Sequence, residues 1–275
     1  MSLLATKDLT IRFGGHVAVN AVTCAFQPGT LTAIVGPNGA GKTTYFNLIS
    51  GQLKASSGQV TLNGRDLSGL SAAQRTRAGL GRAFQLTNLF PRLTVMENVR
   101  LAVQAARDGA HRRGFNLWSV WSDHKALLQR ADEILDSIAM KAKENEIVAN
   151  LPHGDQRKLE VALLMALDAQ VYMFDEPTAG MNAAEAPVIL NLIRKLKEDA
   201  SKTILLVEHK MDVVRELADR IIVLHNGTLV ADGEPAEVIA SPIVQEAYLG
   251  VSAKPEEARE APARPELRVV NGSDR

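Results

Sequence analysis

Hydrophobic residues along this chain follow two patterns, alternation with polar residues and short continuous runs. Alternation in "DLTIRF" (8–13) and "HVAVNAVTCAF" (16–26) predicts half-buried strands. Continuous runs in "LTAIV" (31–35), "VYMFD" (171–175) and "TILLVEH" (203–209) predict fully buried strands. Segments with helical periodicity separate these runs, and apolar strands that alternate with helices predict an α/β fold with a parallel sheet.

The remaining segments supply helices and hairpins. Helical periodicity is predicted to continue through most of residues 95–140, and shorter helices are predicted at 43–53, 71–80, 157–167, 183–199 and 211–218. Asn-Gly pairs in "QVTLNGRDL" (59–67) and "RIIVLHNGTLVADG" (220–233) are strong hairpin signals. We therefore expect antiparallel strands in addition to the parallel sheet.

Composition and charge exclude some classes of protein and leave others open. The chain has 275 residues, of which 46% are hydrophobic, so one sizeable core is expected. Lys+Arg and Asp+Glu number 31 each, so the total charge gives no sign of a nucleic-acid partner. Cys24 is the single cysteine, which excludes an internal disulfide. With neither a signal peptide nor a membrane-spanning run in the pattern, a cytoplasmic protein is expected.

A glycine-rich loop separates the apolar run 31–35 from the helical pattern after it. "GPNGAGKT" (36–43) fits G-x-x-x-x-G-K-[ST], in which glycines let several N–H groups converge on one anion at a helix N-terminus. Lys42 can reach the β- and γ-phosphates, Thr43 can ligate Mg²⁺, and Thr44 can donate to the α-phosphate. The predicted nucleotide-binding positions are Gly36, Asn38, Gly39, Ala40, Gly41, Lys42, Thr43 and Thr44.

Two other predicted strands end in residues suited to phosphate chemistry. Asp175 and Glu176 end one buried run, and His209 follows another. Because ligands of open α/β sheets gather at the carboxyl ends of the strands, we expect these residues to face the phosphate loop. Asp175 would hold Mg²⁺ through water, Glu176 would act as general base, and His209 would contact the γ-phosphate. The predicted catalytic residues are Lys42, Glu176 and His209, with ATP and Mg²⁺ as cofactors.

In this order the motifs resemble those of the ATP-binding subunit of ABC transporters, over about residues 3–250. "GPNGAGKTT" resembles the Walker A loop, "VYMFDE" Walker B, "AGMN" (179–182) the D-loop, and "VEH" the switch histidine. "GRAFQ" resembles the Q-loop, so the resemblance implies that Gln85 joins Thr43 and Asp175 at the metal. Phe13 matches the aromatic that stacks on adenine, and a core aromatic is the alternative.

The resemblance also implies the architecture. It predicts the ABC ATPase fold, an α/β P-loop NTPase core with an antiparallel β subdomain and a helical subdomain inserted at about 86–165. The ATPase domain is expected to cover residues 1–251. Residues 252–275, which are rich in Pro, Glu and Arg, are predicted to form a disordered tail.

Within the superfamily, the chain most resembles the class that imports branched-chain (hydrophobic) amino acids. The segments that carry this resemblance include "RFGGHVAVN", "GRAFQLTNLFPRLTVMENV", "DEPTAGM", "VEHKMDVV" and "NGTLVADGEPAEV". It implies integral-membrane permease partners, a second ATP-binding subunit that is identical or homologous, and indirectly a periplasmic solute-binding protein. The chain would be peripheral, on the cytoplasmic face of the inner membrane. Related systems carry amides such as urea.

Two alternatives to a transporter subunit stay open at this point. One is a soluble ABC ATPase of DNA repair or translation, although such proteins carry a long coiled-coil insert or a second cassette. The other is a non-ABC P-loop kinase, which would lack the Q-loop, D-loop and switch histidine in this order.

One motif departs from the family's pattern. Where the family has the signature "LSGGQ", which completes the ATP site of a facing subunit, this chain has "LPHGD" (151–155). Pro152 removes both the serine hydroxyl and a backbone N–H, whereas His153 and Gly154 keep their N–H groups. Asp155 replaces the glutamine, and we expect it to cap the following helix and point away from the phosphate. Any weakness from Pro152 is expected at the facing subunit's ATP site.

Overall fold

A computed structural model describes residues 3–82, 89–110, 120–181, 185–242 and 244–245, apart from the side chains of 107–110 and 120–124. The strands are β1 (Leu4–Phe13), β2 (His16–Phe26), β3 (Leu31–Val35), β4 (Ser57–Leu62), β5 (Arg65–Asp66), β6 (Leu80–Arg82), β7 (Val171–Asp175), β8 (Thr203–Val207), β9 (Arg220–His225) and β10 (Thr228–Gly233). The helices are α1 (Lys42–Ser50), α2 (Ala72–Arg77), α3 (Val95–Ala110), α4 (Val120–Ser137), α5 (His153–Ala166), α6 (Ala186–Lys197), α7 (Met211–Leu217) and α8 (Pro235–Ala240).

The larger sheet has the strand order β10-β9-β3-β8-β7-β6. All its pairs are parallel except β9 with β10. The three predicted buried runs form the adjacent strands β3, β8 and β7, in a register that aligns Val207 with both Ile34 and Asp175. Because these parallel strands end at one level, the loops that follow them meet at one edge of the sheet.

Both faces of this sheet are covered, which explains why its strands are continuously apolar. Successive side chains of a strand point to opposite faces. In β7, Val171 and Met173 join a core with α1 and the smaller sheet, whereas Tyr172 and Phe174 join a core with α5 and α6. All four side chains are buried.

The smaller sheet is antiparallel, with the strand order β2-β1-β4-β5. Both predicted Asn-Gly hairpins are present. Asn63 and Gly64 have φ values of 50° and 76°, and Asn226 and Gly227 have 47° and 76°. Two consecutive positive φ angles are what a type I′ turn requires, and Asn-Gly tolerates them.

Helices α3, α4 and α5 pack on one another beside the larger sheet. Their buried residues, among them Val95, Ile134 and Leu159, continue the core on the face of Tyr172 and Phe174. The structure therefore confirms the predicted fold class. Strand β6 and helix α8 were not predicted from the pattern. Among the described residues no helix has the length and hydrophobicity needed to cross a membrane.

Candidate nucleotide site

The loop after β3 turns directly into helix α1. Gly41 is the N-cap residue, in a left-handed conformation with φ 96°. The first turn closes with a hydrogen bond from Tyr45 N–H to the Gly41 carbonyl, 2.8 Å long. The N–H groups of Lys42, Thr43 and Thr44 precede this bond and have no intrahelical acceptor. These donors lie at the positive end of the helix dipole, which is an arrangement that binds anions.

Two glycines of the loop are required by close backbone packing. A Cβ on Gly36 would lie 2.1 Å from the Leu224 carbonyl oxygen, and one on Gly41 would lie 2.5 Å from that of Ala18. Gly39 has open space around it but a φ of 79°, which strains other residues. The loop is thus held against β9 and β2, and its form fits a phosphate cradle.

Lys42 lies across this loop. Its Nζ donates hydrogen bonds to the carbonyls of Gly36, 2.7 Å, and Pro37, 3.0 Å. Burial lowers the pKa of Lys42, and the nearby carboxylates of Glu176 and Asp175 oppose that change. The structure therefore places the lysine of the loop close enough to the two acids at the end of β7 for their charges to interact.

Asp175 ends β7 with its side chain fully buried. One oxygen, Oδ2, accepts a hydrogen bond from Arg82 Nη2 at 3.2 Å, while buried Oδ1 has no hydrogen-bond partner among the described residues. Burial raises the pKa of Asp175 and Arg82 opposes the rise. Buried polar atoms are nearly always satisfied, so the orphaned oxygen fits a metal-bound water.

Arg82 is one of the functional candidates that the sequence analysis missed. Its Nη1 donates to Asn47 Oδ1, 2.6 Å, and Ser50 Oγ, 2.8 Å, on α1, and its guanidinium lies 5.2 Å from the centre of the Phe46 ring. Arg82 thereby connects the helix of the phosphate loop to Asp175. The sequence does contain one indication of this residue, an arginine between small and apolar residues three positions before Gln85 in "GRAFQ".

Glu176 and His209 face each other across the ends of β7 and β8. His209 Nδ1 lies 3.7 Å from Glu176 Oε1, and the Glu176 side chain is one-third exposed. Behind them, the buried Glu208 accepts hydrogen bonds from the His209 N–H, 2.8 Å, and from Thr178 Oγ1, 2.9 Å. Glu208, also missed from the sequence, therefore anchors the backbone that carries His209.

Helix α5 contributes a third missed residue, Arg157. Its Nη2 donates to the carbonyls of Asp175, 3.3 Å, and Glu176, 3.1 Å, and its Nε donates to that of Pro177, 3.3 Å. Nη1 pairs with Glu160 Oε2 at 2.7 Å. The sequence shows a basic residue, Arg157, just after the signature segment in "DQRK" (155–158). It does not show which backbone carbonyls this residue contacts.

In the first turn of α5, two residues before Arg157, the prediction for Asp155 is wrong in one respect. Pro152 is the N-cap residue and no side chain caps the helix. The Asp155 oxygens instead accept hydrogen bonds from Lys143, 2.6 Å, and Lys158, 2.8 Å, because two ammonium groups are within reach. Burial raises the pKa of Asp155, but the two lysines more than offset this and hold it below its ordinary value.

The other signature residues lie where α5 begins. His153 is exposed and Gly154 is buried. A Cβ on Gly154 would lie 2.0 Å from Glu185 Oε1, so this position has no room for a side chain unless Glu185 moves. The N–H groups of both residues belong to the first turn, where intrahelical acceptors are absent.

Some predicted residues lie outside the described part of the chain. They are Gln85, Asn182 of the D-loop, and the tail at 252–275. Phe13 is described and its side chain is half exposed, at 50%. That exposure contradicts the core-aromatic alternative for Phe13.

Comparison with known families settles the membership of the chain. The model of the ABC transporter family matches residues 19–179, more than half of the sequence. The chain belongs to the ABC transporter family. The cassette is an ATP-binding subunit and an ATPase, as its motifs indicate. A second model, described as a branched-chain amino acid ATP-binding cassette transporter, matches residues 228–254.

Similar proteins and structures cover nearly all of the cassette. The high-affinity branched-chain amino acid transport ATP-binding protein LivG of Salmonella typhimurium is 39% identical over 90% of this chain and 98% of its own length. The corresponding protein BraF of Pseudomonas aeruginosa is 34% identical over the same shares. The ADP conformation of the ATP-binding cassette MJ1267 superposes with a TM-score of 0.76 at 28% identity, covering 91% of this chain and 100% of that one.

Proposed function

We propose that this cassette powers the uptake of branched-chain or other hydrophobic amino acids, or of related amides such as urea, through membrane permeases. The observation that carries the proposal is the similarity to LivG along 90% of the chain. The match of residues 228–254 to the branched-chain model supports it with a segment that lies outside the phosphate-loop, Walker B and switch-histidine motifs in the sequence. A role in DNA repair or translation is not favoured by these similarities.

In the proposed reaction, water attacks the γ-phosphorus of ATP at the edge where β3, β8 and β7 end, and the bond from that phosphorus to the β–γ bridging oxygen breaks, which releases ADP and phosphate. The N–H groups of the phosphate loop bind the phosphates, and Lys42 neutralises the β- and γ-oxygens. Glu176 orients the water and accepts its proton. His209, which lies beside Glu176, donates to the γ-phosphate. These groups act on charge that develops in the transition state, in a site that folding has already organised.

Mg²⁺ belongs to this proposal as the second cofactor. The Thr43 hydroxyl and the orphaned Oδ1 of Asp175 would hold it, with Gln85 as a third predicted contact. The described residues contain no group of three or more His, Cys, Asp or Glu able to hold a metal. Bound phosphates would therefore supply part of its coordination, as is usual for Mg²⁺ at nucleotides, where it neutralises phosphate charge.

A second ATP-binding subunit completes the proposed machine. The N–H groups at the start of α5, those of His153 and Gly154, would contact the γ-phosphate bound by the facing subunit, and the facing signature would do the same here. Pro152 supplies neither hydroxyl nor N–H. In a pair of different subunits the two ATP sites would then be unequal.

Permease docking is proposed at the helical part of the cassette. Phe90 and Ile147 are large apolar residues that are 54% and 37% exposed. They lie on two segments that bond to each other, through Ala149 N–H to the Pro91 carbonyl at 3.0 Å and an isolated bridge at Ile147. Contact with a permease there would place the cassette on the cytoplasmic face of the inner membrane, with a periplasmic solute-binding protein acting from the other side.

The test compares Glu176→Gln with Glu198→Gln in cells that carry the candidate permeases. Glu198 is an exposed residue at the end of α6, so it controls for loss of one charge. We expect Glu176→Gln to abolish uptake of labelled leucine and to slow ATP hydrolysis about a hundredfold or more. Glu198→Gln should change neither. Full uptake with Glu176→Gln would refute the proposal.

The same variant tests the second subunit by size-exclusion chromatography. A dimer of Glu176→Gln that forms only with ATP would support pairing of identical cassettes through "LPHGD". A monomer with and without ATP would instead indicate that a homologous subunit is the partner.

A further inference from the structure

The backbone of Glu176 has an unusual conformation. Its φ is 49°, in the left-handed region that is unfavourable for residues other than glycine. Such a residue costs roughly 1–3 kcal/mol and persists only where its surroundings hold it. Two backbone bonds contribute, from Glu176 N–H to the Val207 carbonyl, 2.9 Å, and from Ala179 N–H to the Glu176 carbonyl, 3.0 Å.

Arg157 adds a side-chain contact to the same turn. Its guanidinium donates to three successive carbonyls, those of Asp175, Glu176 and Pro177. The three carbonyls converge on this one planar group in the turn where Glu176 has its positive φ. The Arg157 contact therefore favours the strained conformation over a relaxed one.

The guanidinium is itself fixed from the helix side. The Arg157 side chain is 9% exposed and pairs with Glu160, whose side chain is 6% exposed. Both residues stand on α5, one turn apart. A planar group with five donors can satisfy a carboxylate and several carbonyls at once, which a lysine ammonium cannot do in the same geometry.

We propose that Arg157 is a positioning residue that holds the turn at Glu176 and so aims the Glu176 carboxylate at the attacking water. The inference rests on the proposed role of Glu176 as general base. Arg157 lies on the helix whose N-terminus carries Pro152 and His153. It therefore links this chain's catalytic glutamate to the segment that serves the facing subunit's ATP.

The chain offers a matched control in Arg75. This residue is 3% exposed and also donates to backbone carbonyls, including those of Leu48 and Ile49 at 2.7 Å, but at the far end of α1. We expect Arg157→Met to lower kcat about tenfold or more, since small misplacements of catalytic groups have large effects. The KM for ATP should change less than about twofold. Arg75→Met should destabilise the fold while leaving kcat near wild type.

A double-mutant cycle separates positioning from general damage. If Arg157 acts through the Glu176 carboxylate, Arg157→Met should cause no further loss of rate in the Glu176→Gln background. Arg157→Lys should give an intermediate rate in the wild-type background. Equal fold losses with and without Glu176 would overturn the inference, as would a wild-type kcat in Arg157→Met. A wild-type rate in Glu176→Gln alone would instead refute the general-base role on which the inference rests.

Hydrogen exchange gives a readout that does not depend on hydrolysis. Peptides covering residues 171–181 should exchange faster in Arg157→Met than in wild type, and Arg75→Met should leave them unchanged. Unchanged exchange in Arg157→Met would contradict the claim that Arg157 holds the turn at Glu176, even if the rate of ATP hydrolysis fell.

Discussion

Two helices of this cassette present their N-termini to phosphate in the proposed dimer, and they differ in what surrounds that end. Helix α1 has a glycine N-cap, no acidic residue in its first turn, and Lys42 as its first residue. Helix α5 has Pro152 as N-cap and Asp155 in its first turn. A helix N-terminus carries about half a positive charge. In α1 the ammonium group of Lys42 adds to this positive charge, whereas in α5 the carboxylate of Asp155 opposes it.

The opposition in α5 is compensated locally. Lys143 and Lys158 both bind the Asp155 carboxylate, so two positive charges surround one negative charge. Because residue 152 is a proline, α5 still lacks two hydrogen-bond donors there, the hydroxyl of a serine and a backbone N–H. A lost charge-assisted donor costs roughly 1.5–3 kcal/mol of phosphate binding. From this comparison we propose that any weakness of this signature in phosphate binding comes from Pro152 rather than from Asp155.

The largest expected effect comes from removing the cation of α1. Lys42→Ala should reduce ATP hydrolysis about a hundredfold or more, because the lysine stabilises charge on the transferred phosphoryl group. Lys54→Ala, at an exposed position after α1, is the matched control and should leave the rate unchanged. Steady-state phosphate release measures both. A loss below about tenfold in Lys42→Ala would mean that α1 does not hold the reacting phosphates as proposed.

An intermediate effect is expected from repairing α5. Pro152→Ser restores a hydroxyl and an N–H, and serine is a favourable N-cap residue. In the Glu176→Gln background it should tighten ATP-dependent dimerisation about tenfold, measured by analytical ultracentrifugation. The gain should require ATP, because the restored donors contact phosphate.

Pro152→Ala separates the two restored groups, since it returns the N–H without the hydroxyl. We expect it to give a smaller gain than Pro152→Ser. If neither variant strengthens the dimer, position 152 does not contact the facing nucleotide, and the comparison of the two helices would have to be abandoned.

The comparison also shows what the sequence could predict. The strand, loop and helix around "GPNGAGKT" are contiguous, so local patterns were enough to predict β3, the loop and α1. The Asn-Gly hairpins are local for the same reason. Asp175, Glu176 and His209 could be placed because strands of a parallel sheet end at one edge, which is a rule of topology.

What the sequence analysis missed depends on contacts between distant segments. Arg82 and Asp175 are 93 positions apart, and Arg157 reaches carbonyls 18 to 20 positions away, which no periodicity reveals. The cap predicted for Asp155 was wrong because Lys143, 12 residues earlier, provides a stronger partner than the helix N-terminus. Buried charged groups select partners through the folded topology, and the local pattern does not contain that information.

The smallest predicted effect concerns the compensation of Asp155 and depends on pH. The pKa of Asp155 is lowered in the fold by its two lysines, so the ionised carboxylate stabilises the protein at any pH above its unfolded value of about 3.9. That contribution is lost as the pH falls through the lower folded value. Asp155→Asn should therefore lower the free energy of unfolding by about 1 kcal/mol or less at pH 7, because water screens the partly exposed Lys143. The difference should shrink below about pH 4.

Denaturant unfolding of the wild type and Asp155→Asn between pH 7 and pH 3 measures this difference. Glu133→Gln is the control, because its pair with Arg130 is about half exposed on both sides and such pairs contribute little at any pH. A constant difference across the range would mean that Asp155 acts through packing and not through charge. The two lysines would then not neutralise the charge of Asp155. Any weakness of phosphate binding at the start of α5 could no longer be assigned to Pro152 alone.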